Sequence, residues 1–423
     1  MTAALGTGFS FAATPAVVAL VLGVVVFVAI GALTYERERA YSSALIYLVV
    51  GLAAAGVIDA FGLGWFELMR HPHVLERVAE VTLVFALFAT GLRIAPLRRS
   101  VSVATALLLG VVMSVTVAAV AAFGVLAMGL SLGAAIILGG ILAPTDPVLA
   151  GSLGANPPGE AEDEQRDAPI ALSVESGFND GVAFPFVVLG VFVAQRGGIG
   201  WLVEWALVDV LYGIGVAVVV GVLGGVGIAA AACALRARGL VAAELDGWVA
   251  IGAALAIFGA AQLAGSYGFV AVFLGGVAFR RYERGRDYTR EIHDSADVVR
   301  NFAELATILL FASMVNFAAL AGRPGLAGWL LVPLLLLVIR PLAVLLTLTA
   351  VRGMPLRERA FLAWFGVKGV ASLYYVGAVV AAAVLSSDET ATVAWTAIAA
   401  VIVSIVAHGL TSSWLRTKLL ARS

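Results

Sequence analysis

Apolar runs of about twenty residues recur along the whole chain, the length a helix needs to cross a bilayer. Thirteen can be drawn, near 12–34, 42–61, 78–95, 101–127, 132–152, 168–194, 204–234, 245–263, 267–280, 296–319, 327–350, 357–384 and 389–415. In lipid only helices and closed barrels can pair all their backbone polar groups. Runs of this length predict an all-α polytopic membrane protein of about thirteen transmembrane helices. Composition agrees: 62% of the 423 residues are hydrophobic and 13% charged, against about a quarter charged in a soluble domain. The net charge of −1 gives nucleic acid nothing to bind. A single cysteine, Cys233, excludes an intrachain disulfide framework and a cysteine-based metal cluster. The only close histidines, His71 and His73, flank Pro72 and read as a solvated turn rather than a zinc site.

The basic residues orient the helices. With the N-terminus outside, 19 of the 26 Lys and Arg fall in inner loops and 4 on the outer side, as the excess of cations in cytoplasmic loops requires. The C-terminus is then cytoplasmic, in the cell membrane. The first cation, Arg37, follows the first apolar run, so a retained helix is expected rather than a cleaved leader. The longest polar stretches, 155–167 and 281–295, read as inner loops, and no soluble domain is expected. The basic run after Phe279 is a topology anchor that can also touch anionic lipid.

A few charges interrupt the oil. An ionised side chain at membrane depth costs roughly 2.5–3.5 kcal/mol on insertion scales and usually marks an ion or proton path. The fifth run contains LAPTDPVLA, with Asp146 between Pro144 and Pro147. Two prolines three apart stop a regular helix. Irregular backbone at that depth survives only where protein or a wet cavity covers it. Carbonyls near Thr145 are freed beside Asp146, an oxygen-rich anionic spot suited to a hard cation such as Na⁺.

The sixth run supplies VESGFNDGVAFPF (174–186). Residues four apart share a helix face, so Ser176 stacks with Asp180 and Glu175 with Asn179. Ser176 and Asp180, with Asp146, can offer oxygens to one Na⁺. Glu175 is free to pair with Arg340 of the eleventh run, which cancels two expensive charges and leaves Asp180 to titrate. The twelfth run has its own break, FGVKGVASLYY, around Gly366, Lys368 and Gly369. Broken helices at matching places in two halves are the mark of inverted-repeat transporters. Asp146 in one break and Lys368 in the other can neutralise the half-helix ends. Arg300 and Glu304 lie i, i+4 and can form a local pair. Gly221 and Gly225 make a G-x-x-x-G face for close helix contact, either within the molecule or at a dimer interface.

Those motifs carry a resemblance. LAPTDPVLA followed by VESGFNDGVAFPF is similar to the signature of the monovalent cation:proton antiporters, in particular the electroneutral NhaP-type antiporters and Na⁺/H⁺ exchangers. SYGFVAVFLGGVAFR (266–280), NFAELATILLFASMV (301–315), VIRPLAV (338–344) and WFGVKGVASLYYVG (364–377) resemble stretches of the same family in order. The resemblance implies a transporter rather than an enzyme, with no cofactor and with inverted repeats and two broken crossing helices. It implies one membrane unit over 1–423, with core helices about 78–194 and 296–415, the remainder a dimerisation scaffold, and a homodimer in lipid. It implies exchange of Na⁺ or Li⁺ for H⁺, one for one. Asp180 matches the essential carboxylate, Asp146 and Thr145 the unwound helix lining the ion site, and Ser176 a coordinating hydroxyl. Asn179 and Glu175 match the amide and acid held by an arginine, here Arg340, and Glu304 matches an acidic position before L-L-F.

Two departures stand out. Lys368 replaces the family's usual arginine, keeping the charge but losing its fork. The third run lacks the acid some members have, leaving Thr90 as an oxygen donor there. A K⁺/H⁺ antiporter, or a cation channel lined by Asp146 and Asp180, would use the same groups. The motifs of intramembrane aspartyl proteases are absent.

Overall fold

The computed structural model describes residues 43–94, 99–146, 167–239, 246–283, 290–352 and 354–420. The first apolar run, Pro147, the acidic stretch up to Arg166 and the basic residues 284–289 lie outside them. The described residues form helices joined by short connections, with no strand among them. In chain order they are α1 (Ser43–Ala60), α2 (Pro72–Arg93), α3 (99–128), α4 (Leu132–Leu142), α5 (Asp167–Gln195), α6 (Leu202–Ala237) and α7 (Asp246–Leu263). There follow α8 (Gly268–Glu283), α9 (Arg290–Ser313), α10 (Phe317–Gly322), α11 (Gly325–Ala350), α12 (Leu356–Trp364), α13 (Val370–Ala382) and α14 (Ser387–Leu420). Six of these are long and apolar enough to cross a membrane, and α4, α7 and α13 add shorter apolar helices.

Two expected boundaries shift. The run 296–319 is not one helix: α9 ends at Ser313, and Asn316 starts α10 by accepting the amide of Ala319 at 2.9 Å. A side-chain acceptor of this kind replaces the helical bond a first-turn amide lacks. The polar stretch 281–295 is mostly helical, because α8 continues to Glu283 and α9 begins at Arg290. His71 precedes Pro72 at the start of α2, and His73 pairs with Glu76 at 3.0 Å. That turn is therefore a helix start.

The two breaks of the sequence are breaks of the fold. Helix α4 stops at Leu142 and residues 143–146 run on without helical structure. Helix α12 stops at Trp364, residues 365–369 are extended or irregular, and α13 restarts at Val370. The extended pieces meet: the amide of Asp146 donates to the carbonyl of Val367 at 2.8 Å. Around them α4 packs on α5 and α3, and α14 runs alongside α13 and α4.

On the other side α6 lies along α8, and α8 along α2. The Gly221 and Gly225 face closes this contact from within. A Cβ at Gly221 would strike the backbone of Ala271, and one at Gly225 the backbone of Gly275. The opposite face of α6 exposes Leu207, Leu211, Val219 and Leu223. Gly225→Leu is expected to lower stability by about 1–3 kcal/mol, the usual range for overpacking. The check is the melting temperature of the detergent-purified protein; an unchanged value would mean that α6 and α8 separate freely.

Candidate functional site

The two breaks compensate one another crosswise. Pro144 ends α4 and frees its last carbonyls. The ammonium of Lys368 donates to two carbonyls there, Ala143 O at 3.2 Å and Pro144 O at 2.9 Å. The hydroxyl of Ser372 takes a third, Ile141 O, at 2.8 Å. In the other direction, the amide of Val370, first residue of α13, donates to the Asp146 carboxylate at 3.1 Å. So the cation sits at a helix C-terminus and the anion at a helix N-terminus, where each partial charge favours it. Gly369 makes this possible, since a Cβ there would overlap the Asp146 carboxylate. Lys368 is held from behind by its own amide, which donates to Ser404 Oγ at 2.8 Å.

Helix α5 passes beside the breaks and presents four buried polar side chains within six residues. Glu175 takes Arg340 of α11, one guanidinium nitrogen lying 3.0 Å from both carboxylate oxygens. Gly366 leaves room for that guanidinium; a Cβ would collide with it. Asn179 departs from the expectation that Arg340 holds it. Its amide nitrogen donates to Thr145 Oγ1 at 2.9 Å, and its oxygen accepts the Thr145 amide at 3.3 Å. Thr145 has lost its helical partner to Pro144 and the break, so the nearest amide side chain replaces it. Asn179 thereby ties α5 to the break, while Glu175 ties α5 to α11.

Ser176 and Asp180 share the adjacent stripe, and neither is exposed at all. The Ser176 hydroxyl donates to Ser173 O at 3.2 Å, leaving its lone pairs available. Both carboxylate oxygens of Asp180 lack a hydrogen-bond partner. Asp146, Lys368 and Glu175 are within electrostatic range of it. Its backbone carbonyl accepts the hydroxyl of Tyr375.

The Thr90 hydroxyl bonds Ala86 O of its own helix at 2.7 Å. Glu304 is buried on α9, a helix that packs on α1, α2 and α7. Arg300 turns to Asp297 at 3.7 Å and to the Asn301 side chain at 3.0 Å. Reading the sequence missed Tyr375, Ser372 and Ser404. A serine and a tyrosine within two turns of the second break are the signal that could have found the first two, since buried hydroxyls need partners.

Two cavities lie along one face of α5, one beside Val174 and Phe178, about a turn before Asp180, and the other beside Gly181 and Phe184, just beyond it. One, of about 560 Å³, is lined largely by apolar side chains, among them Val174 and Phe178 of α5, Val222 and Val226 of α6, and Phe273. The other, of about 280 Å³, touches Gly181 and Phe184 of α5 and is lined by Asp209, Gln262, Ser266, Tyr267 and Tyr374. Edge-on Phe178 and Phe273 (6.1 Å) stand beside the first, and Phe184 with Tyr267 (5.1 Å) beside the second.

The profile described as "Sodium/hydrogen exchanger, transmembrane" matches residues 25–418. The K⁺/H⁺ antiporter NhaP of Alkalimonas amylolytica is 26% identical over 359 residues, 83% of this chain and 58% of that protein. Na⁺/H⁺ antiporter 2 of Zygosaccharomyces rouxii is 25% identical over 368 residues, 80% of this chain and 43% of that protein. The chain thus spans about half the length of these curated relatives. Among solved structures, the sodium proton antiporter MjNhaP1 of Methanocaldococcus jannaschii superposes with a TM-score of 0.74 at 18% identity, covering 96% of this chain and 98% of that one. That likeness shows the fold.

Proposed function

Because the chain belongs to the sodium/hydrogen exchanger family, we propose that it exchanges Na⁺ or Li⁺ for H⁺, one for one, at Asp180. The observation that carries this reading is a fully buried Asp180 with both carboxylate oxygens unpartnered. An ionised carboxylate left alone at that depth costs several kcal/mol. A proton or a cation relieves that cost, and both cannot occupy one carboxylate. Competition therefore couples their movements. Asp146, the Ser176 hydroxyl and the Thr145 region supply further oxygens for Na⁺. An empty charged site is costly to move, so only the loaded or protonated form crosses between the two faces.

Stoichiometry follows from which acids are already engaged. Glu175 is neutralised by Arg340, and Asp146 accepts the α13 amide. Position 179 holds an amide, which carries no proton. Within the cluster at the two breaks this leaves Asp180 as the exchangeable group, which supports electroneutral exchange. The same reading includes a homodimer in the cell membrane with the N-terminus outside and the C-terminus cytoplasmic. It also assigns a core of helices about 78–194 and 296–415 moving against the rest.

A second reading has its own support: a relative named as a K⁺/H⁺ antiporter aligns over most of this chain, so K⁺ is a candidate in place of Na⁺. Reconstitution into proteoliposomes containing a pH dye separates these readings. Na⁺, Li⁺ or K⁺ is added in turn, with voltage set by valinomycin and K⁺ gradients in the Na⁺ and Li⁺ arms. Proton movement with Na⁺ or Li⁺ at a rate independent of voltage is the expected result. Movement with K⁺ alone selects the second reading. Cation currents without proton movement would replace antiport by a channel.

A further inference from the structure

The smaller cavity beside α5 holds a carboxylate that the exchange mechanism above does not use. Asp209 lies in α6, where residues Trp205–Tyr212 are wound as a π-helix. The side chain is half-buried and forms no ion pair among the described residues, while the nearby Arg196 is taken by Glu204 at 2.8 Å. Glu204 adds to the negative potential around Asp209. A carboxylate two turns into an apolar helix is costly, so its persistence needs a reason.

Its surroundings supply one. The wall around Asp209 is polar: Gln262, Ser266, Tyr267 and Tyr374 all line the cavity. Ser266 donates its hydroxyl proton to Ala261 O at 2.9 Å, leaving its lone pairs free. The cavity continues to Gly181 and Phe184, the next residues of α5 beyond Asp180. Tyr374 in its wall packs on Tyr375 at 5.2 Å, and Tyr375 bonds the Asp180 carbonyl. The larger cavity, toward the other end of the same α5 face, has no carboxylate among its described lining residues, and its one charged side chain is the cation Arg281.

The geometry points to a second cation station at Asp209, in the cavity formed with Gln262, Ser266, Tyr267 and Tyr374, where a monovalent cation rests before reaching Asp180. One carboxylate with neutral oxygens suits a weakly held monovalent ion; divalent sites gather more anionic ligands. The station deepens the antiport reading and rests on it. It raises the local cation concentration at one face of the membrane, as a charged cleft with low-dielectric walls does. It belongs to that face alone, because the larger cavity has no carboxylate among its described lining residues.

The test compares wild type, Asp209→Asn and Asp209→Glu in right-side-out and everted membrane vesicles, measuring the apparent KM for Na⁺ from each side. Asp209→Asn is expected to raise KM on the order of threefold to tenfold from the Asp209 face, to leave the other face within twofold, and to reduce the maximal rate little. Asp209→Glu should recover most of the affinity. Raising ionic strength with choline chloride should shrink the difference, as screening requires. KM unchanged at both faces, or raised equally at both, overturns the station while leaving antiport intact. A wild type that exchanges no Na⁺, Li⁺ or K⁺ removes antiport and the station together.

Discussion

Asp180→Asn protein should fold, bind no Na⁺ and exchange at less than about one hundredth of the wild-type rate, a loss of roughly 2.7 kcal/mol or more in the exchange barrier. The side chains are nearly isosteric, and the site loses only the charge that both the cation and the proton recognise. Stability gives an independent reading. A ligand that binds only the folded protein stabilises it by RT ln(1 + [L]/Kd). Wild type should therefore melt higher as Na⁺ is added, and Asp180→Asn should not respond. Without Na⁺ the variant should melt no lower than wild type, since a neutral amide replaces a buried carboxylate whose oxygens have no partner. pH has a definite sign here. Each proton bound at Asp180 removes a place for the cation, so the apparent KM for Na⁺ should rise as pH falls. Full exchange by Asp180→Asn would move the carrier role elsewhere.

Arg340→Leu is expected to destabilise the protein by about 3–5 kcal/mol, the usual consequence of removing one partner of a buried ion pair. Glu175 would be left ionised and buried, with Arg340 gone from both of its oxygens. The double variant Glu175→Leu/Arg340→Leu should regain most of the loss, because neither charge then remains to be neutralised. Gly366→Ala should resemble Arg340→Leu in kind, since its methyl group collides with the guanidinium. Melting of the detergent-purified proteins gives all three values. A double variant as unstable as Arg340→Leu would mean that the guanidinium acts by packing, not by charge. Exchange by a folded double variant would separate bracing from ion binding.

Most of the fold was legible because lipid leaves a chain few options. Twelve of the thirteen apolar runs fall on described helices, though 296–319 and 357–384 are each divided between two and α4 ends at Leu142, well inside the run 132–152. The end of α4 was legible because Pro144 and Pro147, three apart, each remove an amide donor and crowd the preceding turn, whereas the single prolines Pro185 and Pro333 stay inside α5 and α11. Spacing on α5 separated the Ser176–Asp180 stripe from the Glu175–Asn179 stripe, but it could not name partners from distant segments. Glu175 meets Arg340 across 165 residues. Asn179 meets Thr145 instead, a choice made by the amide and hydroxyl that the break exposes. Spacing could not show that Lys368 donates to the Ala143 and Pro144 carbonyls and that Asp146 accepts the Val370 amide, each bonding the backbone of the other break. Backbone polarity at a broken helix end has no letter in the sequence. The division of α9 from α10 was hidden too, because Met314 and Val315 are as apolar as the helices they separate.

The crosswise closure of the two breaks bears on how the chain is made. Asp146 waits for an amide that lies 224 residues further along. At about 5–20 residues per second, the ribosome needs roughly 10–45 s to supply it. Throughout that interval the Ala143 and Pro144 carbonyls lack the Lys368 ammonium, and Asp146 lacks the Val370 amide. For that interval the N-terminal half exists without the groups of the second break that close its own. A chain truncated after α5 would lack those groups permanently, which marks it for membrane quality control. Two halves made as separate polypeptides in one cell could shelter each other, each supplying the end group the other lacks.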